Sequence, residues 1–166
     1  DPLSIAQQFF KAFVVVALVE EFSKYIIVRY YAQRSKEFDE PFDGIVYAVM
    51  VSMGFAALEN ILYVLQFGMG NGIVRAFTAV PAHATFGIIM GYFMGKAKFA
   101  ATKKDKIRLN LTGLIAATAF HGAYDFFLFI NFIPGISIGA FMSLIIAIII
   151  SRKAIKKHQD TSQFKY

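Results

Sequence analysis

No cysteine occurs in this chain. Disulfide frameworks, thiolate nucleophiles and thiolate metal sites are therefore excluded, and a bound metal would need histidine and carboxylate ligands. The period-2 and period-3.6 stripes of a water-soluble domain are missing too, because the apolar residues come in blocks. Nothing resembles a cleavable signal peptide, and no repeat, parallel or inverted, relates one half of the chain to the other. The sequence starts at Asp1 without a methionine, which predicts a processed or trimmed form lacking N-terminal spans.

What is present is apolar: 57% of the 166 residues are hydrophobic, with a mean hydropathy of +0.55. This composition predicts one all-α domain over residues 1–166, a polytopic bundle of about five membrane helices, each needing roughly 20 apolar residues. The spans expected are Leu3 to Tyr31, Gly44 to Phe67, Ile73 to Gly95, Leu109 to Asn131 and a short Ile136 to Ser151. Between them lie a mixed-charge segment from Ala32 to Asp43, a glycine-rich turn from Gly68 to Gly72, a basic connection from Lys96 to Arg108 and a turn from Asn131 to Gly135. The basic tail from Arg152 to Tyr166 is expected to fray. A net charge of +6 would suit nucleic acid, but the cations sit in the connections, where membrane topology places them. With the N-terminus outside, 14 of the 17 Lys and Arg residues fall inside and only Lys11 and Arg75 outside, which predicts a cytoplasmic C-terminus.

Against this background the charges inside the apolar blocks stand out, since a charge near a bilayer centre costs about 2.5 to 3.5 kcal/mol on insertion scales. The first block holds Glu20, Glu21 and Lys24. Lys24 lies one turn from both acids, yet one ammonium neutralises only one carboxylate. The second holds Glu59 and Asn60 after Phe55, a carboxylate that could also serve as a protonated link between helices. The third holds His83, two residues after Pro81, where a kink is expected. On the same helix Gly87, Gly91 and Gly95 recur at every fourth residue, which suits close helix packing. The fourth holds His121 and Asp125 at i and i+4, so the carboxylate can orient the imidazole or both can address one ion. At about 1.5 Å per residue, all of these groups fall in one central band of the bilayer.

The ordered set Glu20-Glu21-x-x-Lys24, Phe55-x-x-x-Glu59, His83-x-x-x-Gly87 and His121-x-x-x-Asp125 resembles the PrsW family of intramembrane proteases, distant relatives of the CAAX prenyl endopeptidases and bacteriocin-immunity-type membrane proteases. The motifs cover about Leu18 to Asp125. The resemblance implies a multi-pass protease of a prokaryotic cell membrane, acting on membrane-anchored substrates such as single-span anti-sigma factors. It implies functional roles for Glu20, Glu21, Lys24, Glu59, His83, His121 and Asp125, and flanking helices that are absent here.

Chemically, peptide hydrolysis needs an activated water, an oxyanion stabiliser and a proton for the leaving amine. With no cysteine, no serine-triad pattern and no His-Glu-x-x-His helix, carboxylates and histidines remain. Two versions stand open. In one, His83, His121 and either Glu59 or Asp125 hold a divalent metal such as zinc, with Glu20 or Glu21 as base. In the other, no metal is needed: a glutamate polarises water against a histidine, Lys24 keeps its partner ionised, and Asn60 or a histidine donates to the oxyanion. The competing functions are a proton- or cation-coupled transporter using the same residues as a relay and a non-catalytic scaffold, which leaves the buried charges unexplained.

Overall fold

A computed structural model describes residues 4–130 and 132–164, all helix, turn or coil without a strand. The first long helix runs as α1 (Ile5–Phe10), a π-helical segment (Lys11–Ala17) and α2 (Leu18–Tyr30). A 3-10 turn (Ala32–Arg34) leads to α3 (Pro41–Phe67), followed by α4 (Met69–Phe77), α5 (Ala79–Lys98), α6 (Lys103–Phe129) and α7 (Ile138–Thr161). The expected helix ends at Leu3 and Asn131, and the Lys165 and Tyr166 positions, lie outside the described residues.

Three helical stretches among the described residues are long and apolar enough to cross a membrane: Pro41–Phe67, Met69–Lys98 and Ile138–Thr161. The first helix and α6 carry the polar groups singled out above, which lowers their hydropathy. Leu58, Ile61, Leu65, Ile115 and Ile145 point outward, a belt of apolar surface that water would penalise and lipid would not.

Four expectations are corrected by these helices. The Gly68 to Gly72 segment is not a turn: only Gly68 leaves helical geometry, at φ 87, and α4 starts at the next residue. The backbone breaks at Thr78 and not at Pro81. Pro81 sits in the first turn of α5, where its missing N–H costs nothing, while its ring would clash with a carbonyl four residues back in a continuous helix. The Lys96 to Arg108 connection shrinks to residues 99–102, because Thr102 caps α6 by accepting from the Asp105 amide. Finally, the last helix is not short: it continues through the expected tail as far as Thr161. Ala147, Ser151, Ala154 and His158 are buried, a helical stripe that carries packing through the charged region. Ser151 Oγ donates to Thr85 O, His158 stacks on Tyr92, and Ser162 Oγ donates to Glu40 at the start of α3.

Lys98 Nζ also donates to Ser35 O, so the connections after the first helix and after α5 and the end of α7 meet at one end of the bundle. There the helices touch backbone to backbone, as the glycine spacing on α5 predicts. A Cβ at Gly91 would lie 2.3 Å from Gly44 O, and one at Gly44 2.4 Å from Gly91 O. Gly113 of α6 faces Met90 O in the same way, at 2.8 Å. A further tie is Gln33, whose amide donates to Met94 O and Asn110 Oδ1, each at 2.8 Å. Gly91→Ala is expected to cost about 1 to 3 kcal/mol, since backbone cannot move aside for the methyl. Its thermal midpoint in detergent should fall by several degrees, whereas Gly54→Ala, with nothing within 4 Å of the new atom, should hold or rise.

Candidate functional site

At the opposite end the helices splay around a cavity of about 540 Å³, walled by Glu20, Glu59, Arg75, His83, His121 and Asp125 among others. Lys24 is the centre of the polar cluster beneath it and is 1% exposed. Its Nζ donates to Glu21 Oε1 at 2.6 Å, lies 2.9 Å from His83 Nδ1, and is 3.9 Å from Glu20 Oε2. The ammonium also sits 4.5 Å from the centre of the Phe55 ring, a cation–π contact.

An ammonium has only donors, so His83 accepts at Nδ1 and carries its hydrogen on Nε2. That nitrogen donates to Glu59 Oε2 at 3.0 Å, and the same oxygen accepts from Arg75 at 2.8 Å. On the other side of Lys24, Glu21 Oε1 lies 2.8 Å from His121 Nδ1. His121 Nε2 faces Asp125 Oδ2 at 3.3 Å and Glu20 Oε2 at 3.9 Å. Phe86 stacks on the His121 ring and fixes its plane. The result is one line, Arg75–Glu59–His83–Lys24–Glu21–His121–Asp125, in which acids and bases alternate except where the two bases His83 and Lys24 meet.

All seven residues singled out in the sequence therefore meet, although they come from four helices. Asn60 does not join them: its amide donates to Gly72 O at 3.2 Å, tying α3 to α4. Arg75 does join them and was unexpected. It sits in α4 with its guanidinium 3.6 Å from the centre of the Tyr63 ring.

The cluster holds four carboxylates against two fixed cations, Lys24 and Arg75. Buried carboxylates need a counter-charge. The two missing positive charges equal two imidazolium protons or one divalent cation. Glu20, His83 and His121 each offer a ligand atom within 4.8 Å of the others, and Glu20 Oε2 is buried without a hydrogen-bond partner. The donor set suits a metal such as zinc. It differs from the set read from sequence: Glu20 takes the third place, while Glu59 and Asp125 each face a histidine Nε2. His121 is already disposed for ligation, with Nδ1 on Glu21 in the carboxylate–histidine arrangement. Both ring nitrogens of His83 are engaged, Nδ1 by Lys24 and Nε2 by Glu59, so a metal there would replace one of these contacts.

A family model described as PrsW family intramembrane metalloprotease matches residues 2–152. The chain belongs to the PrsW family. It is 46% identical over 133 residues to "Protease PrsW" of Geobacillus kaustophilus, covering 80% of this chain and 58% of the relative. The identity is 43% over 120 residues to the protein of that name from Bacillus subtilis, covering 72% and 55%. To the one from Clostridioides difficile it is 36% over 125 residues, covering 73% and 52%. The chain thus spans little more than half the length of these curated PrsW relatives. No solved structure matches it. The PrsW match covers every residue of the acid–base line, Arg75 included, and most of α7.

Proposed function

We propose that this chain is an intramembrane endopeptidase that cuts membrane-anchored proteins, with Glu20, His83 and His121 holding a divalent metal such as zinc. The observation that carries the reading is that trio, gathered from three helices onto the wall of one cavity. Bound there, the metal would polarise the scissile carbonyl and the attacking water.

The chain's own residues do the rest. Glu21 is 0% exposed and held by Lys24 and His121. It cannot meet substrate and instead sets the His121 ring and tautomer. Glu59 accepts from His83 Nε2 and fixes that ring from its other nitrogen, with Arg75 balancing its charge. Asp125 faces the cavity with His121 as its partner, at 3.3 Å. It is the carboxylate placed to take a proton from water and pass it to the leaving amine. Lys24 keeps Glu21 ionised at no exposure to water. Substrate must arrive with its backbone carbonyls released from helical bonding, and the cavity between the first helix, α4 and α6 gives an unwound segment room. A transport role is not favoured, since the chain lacks repeated halves and belongs to a family named for proteolysis. In orientation, the basic end of the bundle is taken to face the cytoplasm of a prokaryotic cell, with the cavity towards the outside.

The test is elemental analysis of the purified protein together with cleavage of a co-expressed single-span protein. About one equivalent of zinc per chain is expected, lost in His83→Ala with His121→Ala. Cleavage that persists in metal-free protein under a strong chelator would overturn the metal assignment, and no cleavage of any membrane-anchored protein would overturn the protease.

A further inference from the structure

Lys11 is the charge in the cavity wall that the acid–base line does not absorb. The cavity acids are each met by a base: Glu59 by Arg75 and His83, Asp125 by His121, and Glu20 by Lys24 and His121 at longer range. Among the described residues the contact found for Lys11 is the Phe129 ring, 4.8 Å from Nζ to its centre. It lines the same cavity as Glu20 and Asp125.

Its presence there depends on backbone geometry. In an uninterrupted α-helix each residue turns about 100°, so Lys11 and Glu20, nine positions apart, would point to opposite sides. The π-helical segment Lys11–Ala17 lies between them. Each residue that a π turn adds rotates the preceding part of the helix by about 100°, and both side chains come to line one cavity. A lysine that served only to reach the lipid headgroups would need no such rotation.

We propose that Lys11 is a substrate-binding residue that pairs with an acidic side chain, Asp or Glu, on the outer side of the cleaved bond. The inference rests on the protease reading and deepens it by naming a substrate feature. Nine residues of helix separate Lys11 from Glu20 by roughly 13 Å, which an extended chain at about 3.3 Å per residue covers in about four residues. The acid therefore belongs three to five residues outward of the scissile bond. The aromatic wall beside Lys11, from Phe129 and Phe141, keeps the pair partly out of water, where opposite charges discriminate best.

The experiment uses single-span peptides in liposomes that differ at this position alone, carrying Asp, Asn or Lys, with cleavage mapped by mass spectrometry. For the parent chain kcat/KM is expected to fall about tenfold from Asp to Asn and further to Lys, mainly through KM. Lys11→Glu should reverse the order and restore cleavage of the Lys peptide. Lys11→Met should lose the preference between the Asp and Asn peptides, with its folding read from monodisperse yield and thermal midpoint. A parent indifferent to the three peptides, or a Lys11→Met chain that keeps the Asp preference, would overturn the inference while leaving the protease intact. A parent that cuts none of them would take both down.

Discussion

His121→Ala is expected to lower cleavage by about 10²- to 10⁴-fold while leaving the helices assembled. The side chain touches Glu21 at 2.8 Å and Asp125 at 3.3 Å, with Glu20 at 3.9 Å. Its loss therefore releases three carboxylates at once from their common partner. Glu21 keeps Lys24 as its counter-ion, which is why the fold should survive. Asp125 and Glu20 keep neither their spacing nor their orientation, and the group that would take protons loses its partner. Cleavage of the single-span substrate, normalised to the amount of monodisperse protein, reads the effect. Activity within tenfold of the parent, from protein with an unchanged thermal midpoint, would remove His121 from the site.

Lys24→Met should be the most damaging single change to folding. Methionine fills a similar length, so packing against Phe55 is largely kept, but Glu21 loses the ammonium at 2.6 Å and keeps His121 Nδ1 as its partner at 0% exposure. Removing one member of a buried pair costs about 3 to 5 kcal/mol, a large part of an ordinary domain's stability. The expected result is a collapse in the yield of monodisperse protein. Adding Glu21→Gln removes the carboxylate left without its ammonium, so the double variant should regain much of that yield and remain inactive, because a neutral amide holds His121 less firmly than a carboxylate. A Lys24→Met chain as stable as the parent would mean that Glu21 needs no neutralisation.

The site was legible in the sequence for an energetic reason. Glu20, Glu21, Lys24, Glu59, His83, His121 and Asp125 sit in apolar runs where each is costly, and the fold gathers them in one cluster. Arg75 was hidden by the glycines around it. Gly70 and Gly72 read as turn residues, although a single left-handed glycine, Gly68, was enough to redirect the chain, and the rest of the segment folded as a helix. Similarly, Arg152 to His158 looked like a solvated tail because charge dominates its composition. The spacing of Ala147, Ser151, Ala154 and His158 carried the helical signal and would have extended α7. The π-helical segment left no trace: Lys11-Ala12-Phe13-Val14-Val15-Val16-Ala17 contains no glycine or proline, and its wider turn becomes visible through the side chains it redirects.

The distribution of glycine contacts also gives the bundle a mechanical character. At its basic end Gly44, Gly91 and Gly95 bring α3 and α5 together through backbone atoms, and Gly113 does the same for α6. At the cavity end the first helix meets α6 through side chains, with the Phe13 ring laid over Gly122 and Phe9 against Phe126. The bundle is built like a tuning fork, joined backbone to backbone at the stem and ring to ring at the tines, and between the half carrying Glu59 and His83 and the half carrying Glu21 and His121 the acid–base line crosses at the Lys24 to His83 contact.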